Sequence, residues 1–193
     1  LVVPRKGVGS FVNRTRLTKQ LAVLGSFTRS LKAVSPDSAT RVLRQEVVDA
    51  EAHIQQALDL SPDERVVLIE RVGYINQEPI AVTSAYYVIS VGAFLMEQDL
   101  TDRSIYQCLA ERHGIEPWRA DMVLAVTFAT MAQASVLDVR EGFPLVCNRA
   151  VTYDQKERPF EYTELYYRSD RVEFAITSFR RSVENSERVY VDL

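Results

Sequence analysis

Between Val66 and Tyr74 the chain is almost wholly apolar, yet it carries Arg71. Strand alternation puts Val67, Ile69, Arg71 and Gly73 on one face, and Val66, Leu68, Glu70, Val72 and Tyr74 on the other. A guanidinium on so apolar a strand needs a partner, because burying it alone is costly. Two partners meet that need. One is an internal salt bridge to a carboxylate of the chain; the other is a ligand carboxylate or phosphate, which the planar five-donor fork matches. A second set lies further on, where period two places Glu161, Thr163, Leu165 and Tyr167 on one face. A carboxylate and a phenol sharing a surface can form a cross-strand pair or a buried Tyr–Glu network. With Arg71 they also supply a cation, an anion and a stacking ring, the parts that grip a polar small molecule.

Other chemistries find little footing. His53 and His113 stand sixty residues apart, with no Cys or suitably spaced carboxylate within helical reach, so no metal and no cofactor is expected. No Gly-x-Ser-x-Gly elbow is present, and the glycines at Gly7 and Gly9 are followed neither by Gly-Lys-Ser/Thr nor by a helix. The expectation is a chain that binds and does not catalyse. Cys108 and Cys147 each sit in an apolar pattern and read as buried thiols of a cytoplasmic protein.

The elements that must position these residues alternate helices with antiparallel hairpins, so the expected class is α+β. Leu17, Leu21, Leu24, Phe27, Thr28 and Leu31 recur at three and four, predicting an amphipathic helix broken or bent at Gly25. Alternation predicts strands at Arg41 to Val48, Arg65 to Ile75, Ile80 to Val88, Trp118 to Phe128, Pro144 to Tyr153, Phe160 to Arg168 and Arg171 to Phe179. Asp49 can cap a helix through Ala50 to Leu58, Ser104 with Gln107 opens a helix stopped by Gly114, and Thr130 with Gln133 opens another. The order Leu58-Asp59-Leu60, polar turn, strand with Arg71, then EPIAVTSAYY returns as Leu137-Asp138-Val139, polar turn, strand with Arg149, then RPFEYTELYY. Two similar halves of one sheet are expected, with a ligand cleft between them.

Composition bounds the rest. A chain of 193 residues, 47% hydrophobic and 25% charged, is a globular domain, and its longest uncharged stretch, Pro79 to Met96, reads as strand and turn instead of a lipid span. The net charge of −3 divides unevenly: Leu1 to Pro36 holds seven Lys/Arg and no acid, while the remainder holds 16 basic and 26 acidic residues. A basic head on an acidic body fits a head that approaches an anion such as nucleic acid, or a solvated charged arm.

The text RKGVGSFV at Arg5 to Val12 resembles the end of the wing in GntR-type winged helix-turn-helix regulators, close to R-x-G-x-G-T-F-V, with Ser10 in place of Thr. The remainder resembles the UTRA effector-binding domain of the HutC-type subfamily. The matching pieces are Ser26-Phe27-Thr28, Arg71, Glu78-Pro79-Ile80, Ser104-Ile105-Tyr106, Gly142 with Pro144-Leu145, Pro159-Phe160-Glu161 and Tyr167-Arg168-Ser169-Asp170-Arg171. The resemblance implies a chorismate-lyase-like fold of about six antiparallel strands with flanking helices, serving as a sensor and homodimerisation domain of a transcriptional repressor. It implies effector contacts from Phe27, Thr28, Arg71, Ser104, Tyr106, Glu161 and Tyr167. It divides the chain into a remnant of wing and linker, residues 1–16, and the UTRA domain, residues 17–193. Operator DNA would then be read through an N-terminal domain outside this chain, leaving Arg5 and Lys6 as wing contacts. The effector would be a carboxylate, a sugar or a sugar phosphate. Where sugar-phosphate binders of the family carry a second arginine two residues after the first, this chain has Gly73, and Thr83 stands where they often have Glu. The loss of one charge-assisted contact points toward a carboxylate or other lightly charged metabolite. Arg149 is the candidate replacement cation or a structural residue.

Overall fold

The computed structural model describes residues 2–5, 9–12, 16–20 and 24–177, the first two stretches in backbone only. Lys6 and residues 178–193 lie outside the described residues, as does the side chain of Arg5. At the N-terminus β1 (Val2–Arg5) and β2 (Gly9–Val12) form an antiparallel hairpin.

The body is one six-stranded antiparallel sheet. Its strands are β4 (Ala39–Asp49), β5 (Arg65–Ile75), β6 (Glu78–Val88), β7 (Arg119–Phe128), β8 (Pro144–Tyr153) and β9 (Pro159–Arg168). They lie in the order β4-β5-β6-β9-β8-β7. The α+β class and the six-stranded sheet agree with the sequence. The β5–β6 turn is two residues, Asn76 and Gln77, both left-handed with φ of 51° and 65°, as the tightest hairpin geometry requires.

The two halves meet at β6 and β9, which pair around Ser84 and Glu164. The repeated segments match at a constant offset of 80, Pro79 with Pro159, Thr83 with Thr163 and Tyr87 with Tyr167, so the Ser84–Glu164 pair lies on their local two-fold axis. The helices obey the same relation. Both α2 (Ala52–Ala57) and α5 (Met131–Leu137) pack on one face of the sheet and end in a left-handed aspartate, Asp59 with φ 54° and Asp138 with φ 51°. Thr130 and Gln133 close a full capping box on α5. Ser104 accepts from the Gln107 amide at the start of α4 (Ile105–His113), and Gly114 ends that helix left-handed.

The opposite face carries the chemistry and is covered unevenly. At one end α4, the short α3 (Ile89–Gly92) and the 3-10 turn Ala93–Glu97 bury Val67, Ile69, Tyr87, Leu95, Leu100 and Leu109. At the other, α1 (Phe27–Val34) joins β3 (Leu17–Gln20) and β10 (Val172–Ala175) over Ile75, Ala81, Leu165 and Tyr167.

The helix expected from Leu17 to Leu31, broken or bent at Gly25, is found only after that glycine. Leu17 and Lys19 instead belong to β3, which pairs in parallel with β10. Leu21 lies outside the described residues, Leu24 is in no element, and only Phe27–Val34 is helical. Pairing with a strand some 150 positions away offers Leu17 a buried site beside Val172, which local periodicity does not register. The last strand ends at Ala175 and stands outside the main sheet. Asp49 is the last residue of β4, and Glu51 occupies the N-cap of α2. Cys108 and Cys147 are buried and free.

Candidate functional site

Register turns the cleft floor into rows. Arg71, Thr83, Leu165 and Asn148 face one another across β5, β6, β9 and β8. The next row holds Ile69, Ala85, Thr163 and Ala150, and the one beyond it Val67, Tyr87, Glu161 and Thr152. On the other side of the Arg71 row lie Gly73, Ala81, Tyr167 and Val146. Strand spacing sets Arg71 and Asn148 about 14 Å apart at the backbone. Between the two helical covers the floor is open, and Lys19, Ser26, Phe27 and Tyr106 form its walls.

Arg71 is 4% exposed and forms no salt bridge among the described residues. Its Nη1 donates to Thr28 Oγ1 at 3.2 Å and to the Arg103 carbonyl at 3.1 Å, both neutral acceptors. Thr28 Oγ1 donates to the same carbonyl, which fixes the guanidinium between α1 and the loop before α4. Burial pushes the Arg71 pKa down, opposed in part by the phenol of Tyr87 and the carboxylate of Glu161. Its Nε is buried without a partner among the described residues. The internal salt bridge that the sequence left open is therefore absent from that set.

Glu161 lies opposite Tyr87, which donates to Oε1 at 2.5 Å, while Tyr106 from α4 donates to Oε2 at 2.5 Å. Burial raises the Glu161 pKa, and the hydroxyls of Tyr106, Tyr87 and Thr152, together with Arg71, pull it back. The phenols of Tyr87 and Tyr106 are in turn held well above their usual range by burial and by Glu161. A carboxylate clamped by two phenols is rigid and pre-organised to accept hydrogen bonds from a ligand.

Of the residues that the resemblance implies, Phe27, Arg71, Tyr106 and Glu161 line the cleft, and Thr28, Ser104 and Tyr167 stand behind it. Thr28 holds Arg71, Ser104 caps α4, and Tyr167 is 1% exposed against Phe174, its hydroxyl accepting from Lys19 Nζ at 3.3 Å. Arg149 is not the second cation of the cleft. It lies opposite Glu164, one position from Ala150, and so projects from the far face and is exposed. The row equivalent of Arg71 in the second half is Ala150, which lies opposite Thr163 as Arg71 lies opposite Thr83. Gly73 is a packing requirement: a Cβ there would stand 2.5 Å from Phe27 Cζ and 2.6 Å from Leu31 Cδ1. The Arg168 to Arg171 segment is structural, with Arg168 on Glu78 and Asp170, and Arg171 on Glu78, tying the end of β9 to the β5–β6 turn.

Sequence reading missed Lys19, Ser26, Asn148 and Thr152 as lining residues. The signal for two of them was present: Asn148, Ala150 and Thr152 alternate along a strand whose inward neighbours are apolar. Lys19 was hidden by the helix assignment. Among the described residues no group of three or more His, Cys, Asp or Glu could hold a metal, and no helix is long and apolar enough to cross a membrane.

Residues 36–173 match the UTRA domain family. The HTH-type transcriptional repressor NagR of Bacillus subtilis is 27% identical over 169 residues, 88% of this chain and 69% of that protein. The mannosyl-D-glycerate transport/metabolism system repressor MngR of Escherichia coli is 25% identical over 177 residues, 92% of this chain and 73% of that protein. PhnF of Mycobacterium smegmatis has the same fold, with a TM-score of 0.82 at 21% identity over 93% of this chain and 79% of that one. The match over residues 36–173, relatives that are repressors and a polar cleft on the sheet place the chain in the UTRA domain family, as a ligand-sensing domain of GntR-superfamily transcriptional regulators of the HutC type.

Proposed function

We propose that the cleft binds a small anionic or polar metabolite, a carboxylate, sugar or sugar phosphate, and that occupancy controls operator binding by a DNA-reading domain N-terminal to residue 17. The observation that carries this reading is where buried polar atoms lack partners. Ser26, Arg71 and Asn148, whose Oγ, Nε and Oδ1 are three of the four such atoms among the described residues, line one cleft. Two unmet donors and an unmet acceptor around one space ask for a ligand with both an anionic group and hydroxyls. The start of α1 at Ser26 and Phe27 adds backbone dipoles favourable to the anion beside Arg71. Two relatives are named for mannosyl-D-glycerate and fructoselysine, hydroxylated compounds that carry a carboxylate.

In this reading residues 1–16 are the end of a wing and its linker, with Arg5 and Lys6 touching DNA phosphates, and residues 17–193 sense the ligand. The protein acts in the cytoplasm as a homodimer and performs no catalysis. The apolar edge of β7, where Val126 and Phe128 are 74% and 68% exposed, is the surface offered to a second copy.

A thermal-shift screen of sugar phosphates, amino acids and organic acids tests the reading, since a ligand of the native state alone raises Tm. A saturable rise that Arg71→Ala abolishes supports it. Turnover of any compound that binds would favour an enzyme.

A further inference from the structure

Resting on that reading, we propose that Lys19 and Asn148 form a second subsite, opposite the Arg71 end of the cleft, which takes a carboxylate bearing a neighbouring hydroxyl. The ligand would then be acidic at the end away from Arg71.

Lys19 comes from β3, outside the main sheet, yet its side chain reaches the cleft wall. Its Nζ donates to the Tyr167 hydroxyl at 3.3 Å and lies 5.8 Å from the centre of that ring. It forms no salt bridge among the described residues. Burial pulls its pKa down, and the carboxylate of Glu161 offsets this only in part. Glu161 acts on it only through space: among the described residues its oxygens accept from Tyr87 and Tyr106 and form no ion pair with Lys19. An ammonium has three N–H donors, so two remain after Tyr167, enough for the two oxygens of one carboxylate.

Asn148 stands on the same side of the floor, at the β8 end of the row that Arg71 begins. It is 4% exposed, and its Oδ1 is buried with no donor among the described residues. The row next to it holds Tyr167, on which Lys19 rests, so the free acceptor and the free ammonium border the same corner of the cleft. An acceptor beside a cation suits a hydroxyl next to a carboxylate; a bare carboxylate would leave the amide oxygen unmet. The Arg71 end cannot take both acidic groups, because Phe27 and Leu31 fill the space where a second cation at position 73 would stand.

The test uses matched probes, gluconate against glucose and 6-phosphogluconate against glucose 6-phosphate, with affinities measured calorimetrically on the full chain. Each carboxylate should bind about tenfold or more tightly than the partner that lacks it, as a charge-assisted hydrogen bond dictates. Lys19→Met should erase that preference while leaving the affinity for glucose 6-phosphate within twofold, and Lys19→Arg should restore it. Asn148→Leu should weaken both members of each pair alike. Equal binding within the pairs, or a preference that survives Lys19→Met, overturns the subsite and leaves the sensing reading intact. Absence of binding by all four probes overturns both.

Discussion

The β5–β6 and β8–β9 hairpins are built alike and used differently. Each follows a short helix that ends in a left-handed aspartate, and each contributes a Thr, a Tyr pair and a Pro at equivalent places. In the first half an arginine points into the cleft. In the second, the arginine that looks equivalent in sequence lies one position off register and points to the opposite face, where Glu164 is its strand neighbour. The covers differ as well. Helices and β3 close over β5 and β6, while the same face of β7 is bare, with Met122, Leu124, Val126 and Phe128 all exposed. A duplicated scaffold thus becomes an asymmetric binding site through one residue of register and the unequal placement of its helices.

The sharpest way to break that comparison is to remove each arginine in turn. Arg71→Ala should weaken ligand binding about a hundredfold, the scale for truncating a buried charge that holds an anion. Arg149→Ala should leave it within twofold; isothermal titration of both variants decides. If the two losses are equal, the halves are functionally symmetric and the register argument is wrong.

Packing at position 73 gives the next largest effect. Gly73→Ala should lower unfolding stability by about 2–3 kcal/mol, because Phe27 and Leu31 must move. Adding Phe27→Ala should recover part of that loss, which a denaturant double-mutant cycle would show as a coupling energy. Full additivity would mean that α1 does not rest on Gly73.

Each phenol on Glu161 can be tested alone. Tyr87→Phe should cost about 1–3 kcal/mol, since it leaves a buried carboxylate oxygen without its donor. Tyr106→Phe should cost less, because Tyr106 is only partly buried. The same carboxylate sets a pH dependence. Its folded pKa is raised, so the folded chain holds a proton more tightly than the unfolded one. Unfolding free energy should therefore fall as pH rises from the unfolded value through the folded one, and Glu161→Gln should flatten that slope in urea titrations at a series of pH values. Lys19 works in the opposite sense: its lowered pKa makes stability rise with pH over the alkaline window just below 10.5.

The smallest effect concerns the turn that one hairpin has and the other lacks. Gln77 sits at φ 65° in the two-residue β5–β6 turn. Gln77→Gly should stabilise the chain by about 0.5–1 kcal/mol in thermal unfolding, because an Asn-Gly pair adopts that turn without strain.

The six strands of the main sheet, the capping box at Thr130 and the stop at Gly114 were legible because short-range chemistry decides them. Arg71 and Glu161 were legible for a related reason: a charge in an apolar alternating strand must meet something, and alternation fixes its face. Lys19 was not legible. Its strand exists only because β10, from the other end of the chain, offers a parallel edge, and local spacing there mimics a helix. Tyr167 had the right type and face, but β3 and Phe174 cover it, so it supports the cleft without lining it.

By itself the sequence determined the class, the duplicated plan and the residues whose burial demands a partner, because those follow from period, turn chemistry and the cost of an unmet charge. The tertiary structure alone decided which arginine enters the cleft, what fills the space above Gly73 and which lysine reaches the cleft wall. Those outcomes depend on register between strands and on contacts between segments far apart in the chain, and local sequence carries no record of either.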